Sequence, residues 1–449
     1  MAGQLFVLGE QKPRPGTYVT WHNAGGTSLA TGTVGLAASV LRATWGKVND
    51  VTTITPETMT KLGDNEIIKQ IFTGGARVIY AVRGGNGGTV ATVDLSGVTI
   101  ETKYPTSRKF NVTVRESLDG TEKELLLFEG QKQIDKVTFS GDNEKQALAD
   151  AINEQSNYLL VPSGEFTSGE VDIVLNKEFT DGSDPTMTAS DYADTFPTLD
   201  TKFFDGICTD TTDMQVHMSL QAYVNRRLNE GSRIIGFVGE KSDIDFETRA
   251  QNAKSFNDFA MVYVGNGFLT ADEREVEGAE AIARVMGETI SGPHTRSMTR
   301  HVIQGSVGVV GELTSPQYNE ATKSGMLVFS VSRQGLAQID YGINTKVSLA
   351  EIEDEGWKKI RRTRTRFELI DRVVLTLDPR AGDFDNDEDG RQHVITIVNE
   401  IIERMPGVSG ALIIDPKNPP EGDSAWFKFD NLIDLDSIER FYLDFGFRY

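Results

Sequence analysis

The chain has 449 residues, a formal net charge of −21 at pH 7 and a pI near 4.8. A surface this negative repels phosphate groups, and we therefore expect no nucleic-acid partner. The single cysteine, Cys208, excludes an intramolecular disulfide and fits folding in a reducing compartment. We also expect neither a signal peptide nor direct membrane insertion, because no stretch approaches the ~18 apolar residues of a membrane helix.

The first segment predicts an extended arm followed by the start of a core domain. Residues 1–22 are polar and contain glycine and proline, and we assign them to an N-terminal arm that ends in a short strand at 17–21. Residues 23–88 are predicted to be the N-terminal part of the core. Their predicted elements are strands at 31–40 and 76–82 and a helix at 64–72.

A glycine-rich stretch at 84–88 separates this segment from one of different character. A loop of this kind can hold phosphate, but no helix with a Lys-Ser/Thr pair follows it, so we interpret it as a linker. Residues 89–188 are predicted to be an inserted, mostly β domain. Its predicted strands lie at 98–103, 109–115, 124–128, 136–139 and 171–175, with one helix at 144–153.

Strands and helices alternate in residues 189–344. Near-continuous apolar strands in this order predict an open, largely parallel α/β sheet. The predicted strands are 204–208, 233–238 and 261–264, extended by 326–331 and 336–341. The predicted helices are 214–228, 245–255 and 275–286.

Residues 345–435 predict an α+β domain, and residues 436–449 a C-terminal arm. Apolar side chains in the arm share one parity, which is the period of a strand with one apolar face, and they continue to the last residue. These side chains are Phe441, Leu443, Phe445, Phe447 and Tyr449. From the pattern alone, a final strand of the protein's own core is favoured over a strand donated to another subunit.

Candidate catalytic and metal-binding motifs are incomplete. Residues 26–30 resemble the nucleophile motif of subtilisin-like proteases, but Ser28 lies near the start of the chain with His22 as its neighbour, an order foreign to those enzymes. The acidic stretch 383–389 resembles the start of an EF-hand, yet Thr396 stands where the loop needs glutamate. Cys208 ends an apolar strand and is interpreted as a core residue. We therefore expect no cofactor and no metal.

Residues 358–366, K-K-I-R-R-T-R-T-R, concentrate six positive charges in an acidic chain. In an extended conformation Arg362, Arg364 and Arg366 would share a face. Two interpretations stay open: pairing with nearby acids, or contact with an acidic partner surface. The acids considered are Glu351, Glu353, Asp354 and Glu355.

Four stretches in order along the chain resemble the tail sheath proteins of contractile phage tails and phage-tail-like particles, especially those of Gram-positive phage-like elements. They are K-P-R-P-G-T-Y-V-T-W at 12–21, T-W-G at 44–46, Q-I-D-Y-G-I-N-T at 338–345 with the K-I-R that follows at 359–361, and D-S-I-E-R-F-Y at 436–442. Each is weakly specific, and their combination carries the resemblance.

The resemblance implies a multidomain α/β plus β fold. It implies a subtilisin-like but non-catalytic core at 189–344, an outward-facing β-sandwich insertion at 89–188, an inner domain at 345–435 against the tail tube, and arms that exchange strands with neighbouring subunits. The implied arm residues are Thr17, Tyr18, Val19, Trp21, Phe441, Leu443, Phe445, Phe447 and Tyr449. The tube-facing candidates are Lys358, Lys359, Arg362, Arg364 and Arg366.

The implied function is structural. Copies would polymerise as stacked rings around a tail tube and contract to drive it through a cell envelope, with baseplate and tail terminator proteins as further partners. The subunit would be assembled in the host cytoplasm and belong to a virion or to a phage-tail-like particle such as a bacteriocin. The alternative is an acidic α/β hydrolase-like enzyme with a β accessory domain.

Overall fold

The computed structural model describes residues 4–5, 18–19, 35–118, 120–351 and 353–445. The chain divides into two compact units. The larger comprises Thr33–Glu368, Pro406–Ser409 and Ile433–Tyr449, and the smaller comprises Met1–Gly32, Leu369–Met405 and Gly410–Leu432. None of the helices in the described part of the chain is both long and apolar enough to span a membrane.

The elements before residue 188 are mostly strands. The strands are β1 (Gln4–Leu5), β2 (Tyr18–Val19), β3 (Leu36–Leu41), β4 (Val51–Ile54), β5 (Val78–Arg83), β6 (Thr92–Leu95), β7 (Val98–Thr102), β8 (Phe110–Glu116), β9 (Lys123–Glu129), β10 (Lys132–Phe139), β11 (Leu159–Leu160) and β12 (Val174–Glu178). The helices are α1 (Glu66–Thr73) and α2 (Glu144–Gln155).

Strands and helices alternate in the rest of the chain. The strands are β13 (Gly206–Thr209), β14 (Ile235–Gly239), β15 (Met261–Val264), β16 (Gly267–Thr270), β17 (Glu275–Val276), β18 (Ser306–Val310), β19 (Met326–Leu327), β20 (Phe329–Val331), β21 (Ala337–Ile339), β22 (Val408–Ile414) and β23 (Phe427–Asp434). The helices are α3 (Ala189–Thr195), α4 (Met214–Asn229), α5 (Phe246–Phe256), α6 (Ala279–Ser291), α7 (Ser315–Ser324), α8 (Ile360–Leu377) and α9 (Glu388–Arg404).

The larger unit is organised around a seven-stranded sheet of order β19-β15-β14-β13-β3-β5-β4. Its strands are parallel except β4, which pairs antiparallel with β5. Side chains of alternate parity leave the sheet on opposite faces. One face packs against α1 and α6 and the other against α3, α4, α5 and α7, so the sheet is buried on both sides as a parallel sheet must be.

Two glycines allow α1 and α6 to approach closely. A Cβ placed on Gly287 would lie 2.4 Å from the carbonyl oxygen of Ile71, and one on Gly74 would lie 2.7 Å from the amide nitrogen of Glu288. Both distances are shorter than a real Cβ contact. The packing of this face of the sheet therefore depends on glycine at both positions.

The insertion between β5 and β13 contains two sheets and one helix. Strands β10, β9, β8 and β12 form one antiparallel sheet, and β11, β7 and β6 form the other. Their apolar side chains share one core with α2. Trp45, which precedes the insertion in the chain, joins this core, with ring centroids 5.4 Å from Tyr104, 5.7 Å from Phe110 and 5.2 Å from Tyr158.

Two elements predicted from apolar runs differ in the structure. The predicted strand at 326–331 is divided: β19 joins the large sheet, whereas β20 pairs with β21 in a separate antiparallel hairpin. At the point of division, the side chain of Asn266 takes the place of a neighbouring strand: it accepts a hydrogen bond from Phe329 N and donates one to Phe329 O. The predicted helix at 275–286 begins later as α6, because Gly278 adopts a φ of 58° that interrupts the chain after β17.

The smaller unit contains α9, the two-stranded sheet of β22 and β23, and the later residues of α8. The side chain of Asp387 caps α9 by accepting a 2.8 Å hydrogen bond from Gly390 N. Among its buried apolar residues are Ile395, Val398, Ile401 and Ile402 on one face of α9. The short strands β1 and β2 pair in parallel, with Gln4 opposite Tyr18 and Leu5 opposite Val19.

Candidate functional site: the base of the C-terminal arm

The basic segment is helical. Residues 360–366 form the first turns of α8 and not the extended conformation considered for Arg362, Arg364 and Arg366. Thr363 and Thr365 are buried, and their hydroxyl groups donate to the carbonyl oxygens of Lys359 and Arg361, one helical turn earlier. These internal bonds satisfy the buried hydroxyls. The idea that Arg362, Arg364 and Arg366 share one face of a strand is therefore wrong.

Two arginines of α8 hold the carboxylate of Asp434, which ends β23. Arg362 donates to both carboxylate oxygens at 2.9 and 2.5 Å, and Arg366 Nε donates to one of them at 2.7 Å. Burial alone would raise the pKa of Asp434, but the two guanidinium groups outweigh burial and hold the pKa below its usual value. Arg362 also donates to Asp354 at 2.8 Å. The chain is thus fixed at the residue where the C-terminal arm begins.

Lys359 clasps the next part of the arm. Its Nζ lies 2.7 Å from Asp436 Oδ2 and 2.9 Å from Glu439 Oε2. The other oxygen of Glu439 accepts hydrogen bonds from Ser297 at 2.7 Å and Thr299 at 2.9 Å. Burial would raise the pKa of Glu439, yet Lys359 and the two hydroxyls lower it overall, so the carboxylate is ionised at neutral pH. We call these five side chains the arm clasp.

The loop at 292–299 supplies the wall of this site. Arg364 donates to the carbonyl oxygens of Gly292 at 2.5 Å and Pro293 at 3.2 Å. Burial lowers the pKa of Arg364 to about 10, so its guanidinium remains charged at neutral pH. Arg361 joins the loop to the arm, because it donates to Thr295 O and to Leu435 O, both at 2.7 Å.

Two of the four sequence stretches that carry the resemblance converge here. The G-I-N-T segment borders the start of α8: Ile360 N donates to Gly342 O at 3.2 Å, and Asn344 N donates to Lys358 O at 2.8 Å. The guanidinium carbon of Arg440 lies 6.0 Å from the ring centroid of Tyr341. The stretches at 338–345, 359–361 and 436–442, far apart in the chain, therefore build one site.

Beyond the clasp, the arm exposes apolar side chains. Phe441 is 75% exposed, Leu443 73% and Phe445 71%, and the described arm residues 435–445 form no strand. These three residues are not part of the core of their own unit. Phe447 and Tyr449 lie outside the described residues.

The predicted N-terminal arm residues are partly described. Tyr18 and Val19 form β2, whereas Thr17 and Trp21 lie outside the described residues. The structure thus places two of the four predicted residues in a short parallel strand pair, and their role in an arm stays a prediction.

The five tube-facing candidates contact groups of their own chain. Lys358 pairs with Glu355 at 2.8 Å, and Lys359, Arg362, Arg364 and Arg366 have the partners given above. The predicted pairing with nearby acids is observed for Asp354 and Glu355, whereas Glu353 pairs with Lys346 at 3.2 Å. The distant acids Asp434, Asp436 and Glu439 were not identified from the sequence as partners of the basic segment. The one feature of the sequence that could have indicated this pairing is the opposite charge of the K-I-R run and the D-S-I-E motif. Contact with a tail tube stays a prediction.

Of the residues considered for catalysis, His217 and Cys208 lie in the described part of the chain, and both are buried. Ser28 and His22 lie outside the described residues. His217 is buried, its Nε2 donates to Thr211 O, and burial lowers its pKa to about 4. Cys208 is buried in the sheet as predicted, and burial raises the pKa of its thiol to about 12, too high for a nucleophile at neutral pH. Within the described ranges, no cluster of acids, histidines and cysteine could hold a metal ion.

An open crevice of about 440 Å³ lies at the carboxyl ends of β3, β13 and β14, where an α/β sheet would hold a ligand. Several of its charged groups are paired within the chain. Arg42 pairs with Asp210 at 2.9 Å, and Asp64 pairs with Lys69 at 2.5 Å. Glu277 accepts hydrogen bonds from Ser242.

Comparison with known proteins agrees with the resemblance. Residues 186–345 match the family model described as the phage tail sheath protein central domain, and this segment is a domain of that class. The whole chain shares its fold with solved sheath proteins. The sheath tail protein of Desulfitobacterium hafniense superposes with a TM-score of 0.75 at 20% identity, over 95% of this chain and 99% of that chain.

Two further structures share the fold. The sheath tail protein of Listeria innocua has a TM-score of 0.68 at 16% identity, over 91% of this chain and 97% of its own. The helical sheath of the anti-feeding prophage in its contracted state has a TM-score of 0.53 at 12% identity, over 97% and 99%. No curated protein sequence matches the chain. The predicted relationship to tail sheath proteins is confirmed.

Proposed function

We propose that this chain is the structural subunit of a contractile tail sheath, which polymerises as stacked rings and contracts. The single observation that carries the proposal is the arm. It leaves the larger unit through a polar clasp and then exposes Phe441, Leu443 and Phe445 to solvent. A monomer that kept these apolar side chains in water would lose the free energy of burying them, about 1.5–3 kcal/mol each.

Strand exchange accounts for the pattern of the arm. Side chains of one parity can enter a neighbour's apolar surface while the backbone pairs with a strand edge. Each backbone hydrogen bond contributes about 1 kcal/mol net, so one exchanged strand stabilises the contact by a few kcal/mol. Repetition at every node of a lattice makes the mesh strong through multivalency. Contacts that are weak singly but strong when repeated suit a contractile sheath, because its other interfaces between subunits must change during contraction.

The comparisons support assembly and contraction. A neighbour of the same fold is a helical sheath in a contracted state, and another belongs to a baseplate of the same particle type. By analogy, this subunit would surround a tail tube, contact a baseplate and a tail terminator, and work in a virion or phage-tail-like particle assembled in the host cytoplasm. The α/β part at 189–344 would be the subtilisin-like core, with the insertion at 89–188 facing outward and the domain at 345–435 facing the tube.

Electron microscopy of the purified full chain tests the proposal. We expect rings or helical polymers as concentration rises, with sedimentation showing the loss of monomer. A stable monomer at high concentration, under conditions where the chain is folded, would contradict it. The hydrolase alternative has no supporting observation: the family matched at 186–345 is structural, and among the described residues weighed for catalysis, His217 and Cys208 are buried.

A further inference from the structure

We infer that the arm clasp directs the C-terminal arm away from its own subunit and so favours exchange with a neighbour over closure onto the same chain. The inference rests on the proposed function, since it concerns how the exchanging strand is presented. It assigns a positioning role to Lys359 and Glu439, which form the core of the clasp.

The need for such a device follows from tethering. A short, flexible, apolar strand attached to its own subunit meets the surfaces of that subunit at an effective concentration in the millimolar range. Neighbouring subunits compete at the much lower concentration of free protein. A freely jointed arm would therefore close onto any accessible strand edge of its own chain, as an unswapped monomer does. Exchange requires that the geometry of the arm base oppose this closure.

The structure provides that geometry. Arg361 holds Leu435 O, Lys359 holds Asp436, and Lys359 with two hydroxyls holds both oxygens of Glu439. With both of its oxygens engaged, the Glu439 carboxylate cannot rotate without breaking contacts. The contacts lie on three elements of the larger unit: the start of α8, the loop at 292–299, and the arm itself. The direction of the chain is thus fixed from 435 to 439.

The hold on the arm is polar. Ile438 lies within the clasped stretch and is 77% exposed, so no apolar contact of its side chain anchors the arm. Lys359 and Glu439, in contrast, are 12% and 10% exposed in their side chains. Removing one charge should therefore release the arm base without opening an apolar core. With the clasp intact, the arm can turn only beyond Glu439, the last clasped residue.

Two variants break the clasp from opposite sides. Lys359→Met keeps the length and burial of the side chain but removes its charge. Glu439→Gln removes the negative charge of the carboxylate that Lys359 contacts. Lys359→Arg retains a cation and should rescue the function. The matched control is Lys47→Met, which removes an exposed pair whose Nζ lies 3.0 Å from Asp50.

The first readout is the critical concentration for polymerisation, measured by sedimentation. We expect Lys359→Met and Glu439→Gln to raise it at least about tenfold, the effect of one lost charge-assisted contact, while Lys359→Arg and Lys47→Met stay near wild type. The second readout is deuterium uptake at residues 441–445 in dilute monomer. We expect uptake to fall in the two clasp-breaking variants, because their arms close onto their own chains.

A structural defect alone would weaken assembly without protecting these amides. Unchanged critical concentrations in the variants, or arms that stay as exposed as in wild type, would overturn the inference. If Lys359→Met fails to fold by circular dichroism, Glu439→Gln decides the outcome. If wild type does not polymerise at all, the proposed function fails, and the exchange of dilute monomers still decides whether the clasp prevents closure.

Discussion

Lys359 Nζ lies 2.9 Å from Glu439 Oε2, and this contact joins the start of α8 to the arm that ends the chain. Glu439 would be an ordinary solvated acid if the arm were frayed. Instead its side chain is 10% exposed and both its oxygens are engaged. The arm is therefore anchored at its base and exposed at Phe441, Leu443 and Phe445, which is the arrangement that donation to a partner requires.

Deletion of residues 441–449 should separate folding from assembly. Because Phe441, Leu443 and Phe445 are exposed in the subunit, their loss should change the free energy of unfolding by less than about 0.5 kcal/mol. Polymerisation should be abolished. Chemical denaturation and electron microscopy of the same preparation measure the two effects. Unfolding of the truncated chain would restore the interpretation of the arm as a strand of its own core.

Acid should weaken the clasp. The pKa of Glu439 is lowered from its ordinary value of 4.5, so its ionisation stabilises the fold above about pH 4.5 and this contribution is lost as pH falls through the lowered pKa. The pKa of Lys359 is raised, so its contribution is present below 10.5 and is lost at higher pH. The clasp should therefore hold from about pH 5 to 10.

Denaturation of wild type and Glu439→Gln at two pH values measures this window. At pH 7 the variant should be less stable by about 1–2 kcal/mol, and at pH 3 the difference should shrink towards zero as wild type becomes protonated. A difference that is the same at both values would show that the charge of Glu439 is not what stabilises the contact.

The close approach of α1 and α6 gives a test of the core. Gly287→Ala places a methyl group 2.4 Å from Ile71 O and should destabilise the fold by about 1–3 kcal/mol. Gly164→Ala is the control, since a Cβ there meets its nearest atom at 4.0 Å. Urea denaturation of both variants should show the loss for Gly287→Ala alone. If Gly287→Ala were as stable as Gly164→Ala, α1 and α6 would be able to move apart without loss of stability.

Contact of the basic segment with a tail tube can be tested at Lys358. This residue pairs with Glu355, whose side chain is 78% exposed, and it takes no part in the clasp. Lys358→Glu should reduce co-sedimentation with tube protein while leaving polymerisation intact, with Lys61→Glu as a control on another surface. Unchanged binding to the tube would remove Lys358 from that interface.

Much of the α/β core could be predicted from its apolar runs. The strand at 261–264 was predicted with the bounds of β15, and the helix at 214–228 differs from α4 by one residue. Such elements present continuous or periodic apolar residues to a core. Helix α7 was missed because Ala321 and Ser324 are its buried residues, too few to produce a helical period. Its signals were local: a capping box at Thr314 and a left-handed Gly325.

Less of the candidate site than of the α/β core could be predicted from the sequence. The arm and the basic run were recognised separately, but the contact of Lys359 with Glu439 depends on the tertiary fold. The first turns of α8 were not predicted as a helix, since Thr363 and Thr365 are β-branched residues that favour strands, yet their hydroxyl groups bond to the carbonyl oxygens of Lys359 and Arg361. Ion pairing between residues far apart in the chain leaves no periodic pattern in the sequence. The opposite charges of the K-I-R and D-S-I-E motifs were the available indication that the two segments pair.

The central claim is that residues 441–449 complete the structure of another subunit. Cryo-electron microscopy of the polymer, at a resolution that traces the backbone, tests it most directly. The account predicts that density continuous with Glu439 of one subunit leads into a neighbour and pairs there as an added strand. Density that returns to the subunit of origin, within an ordered polymer, would contradict it.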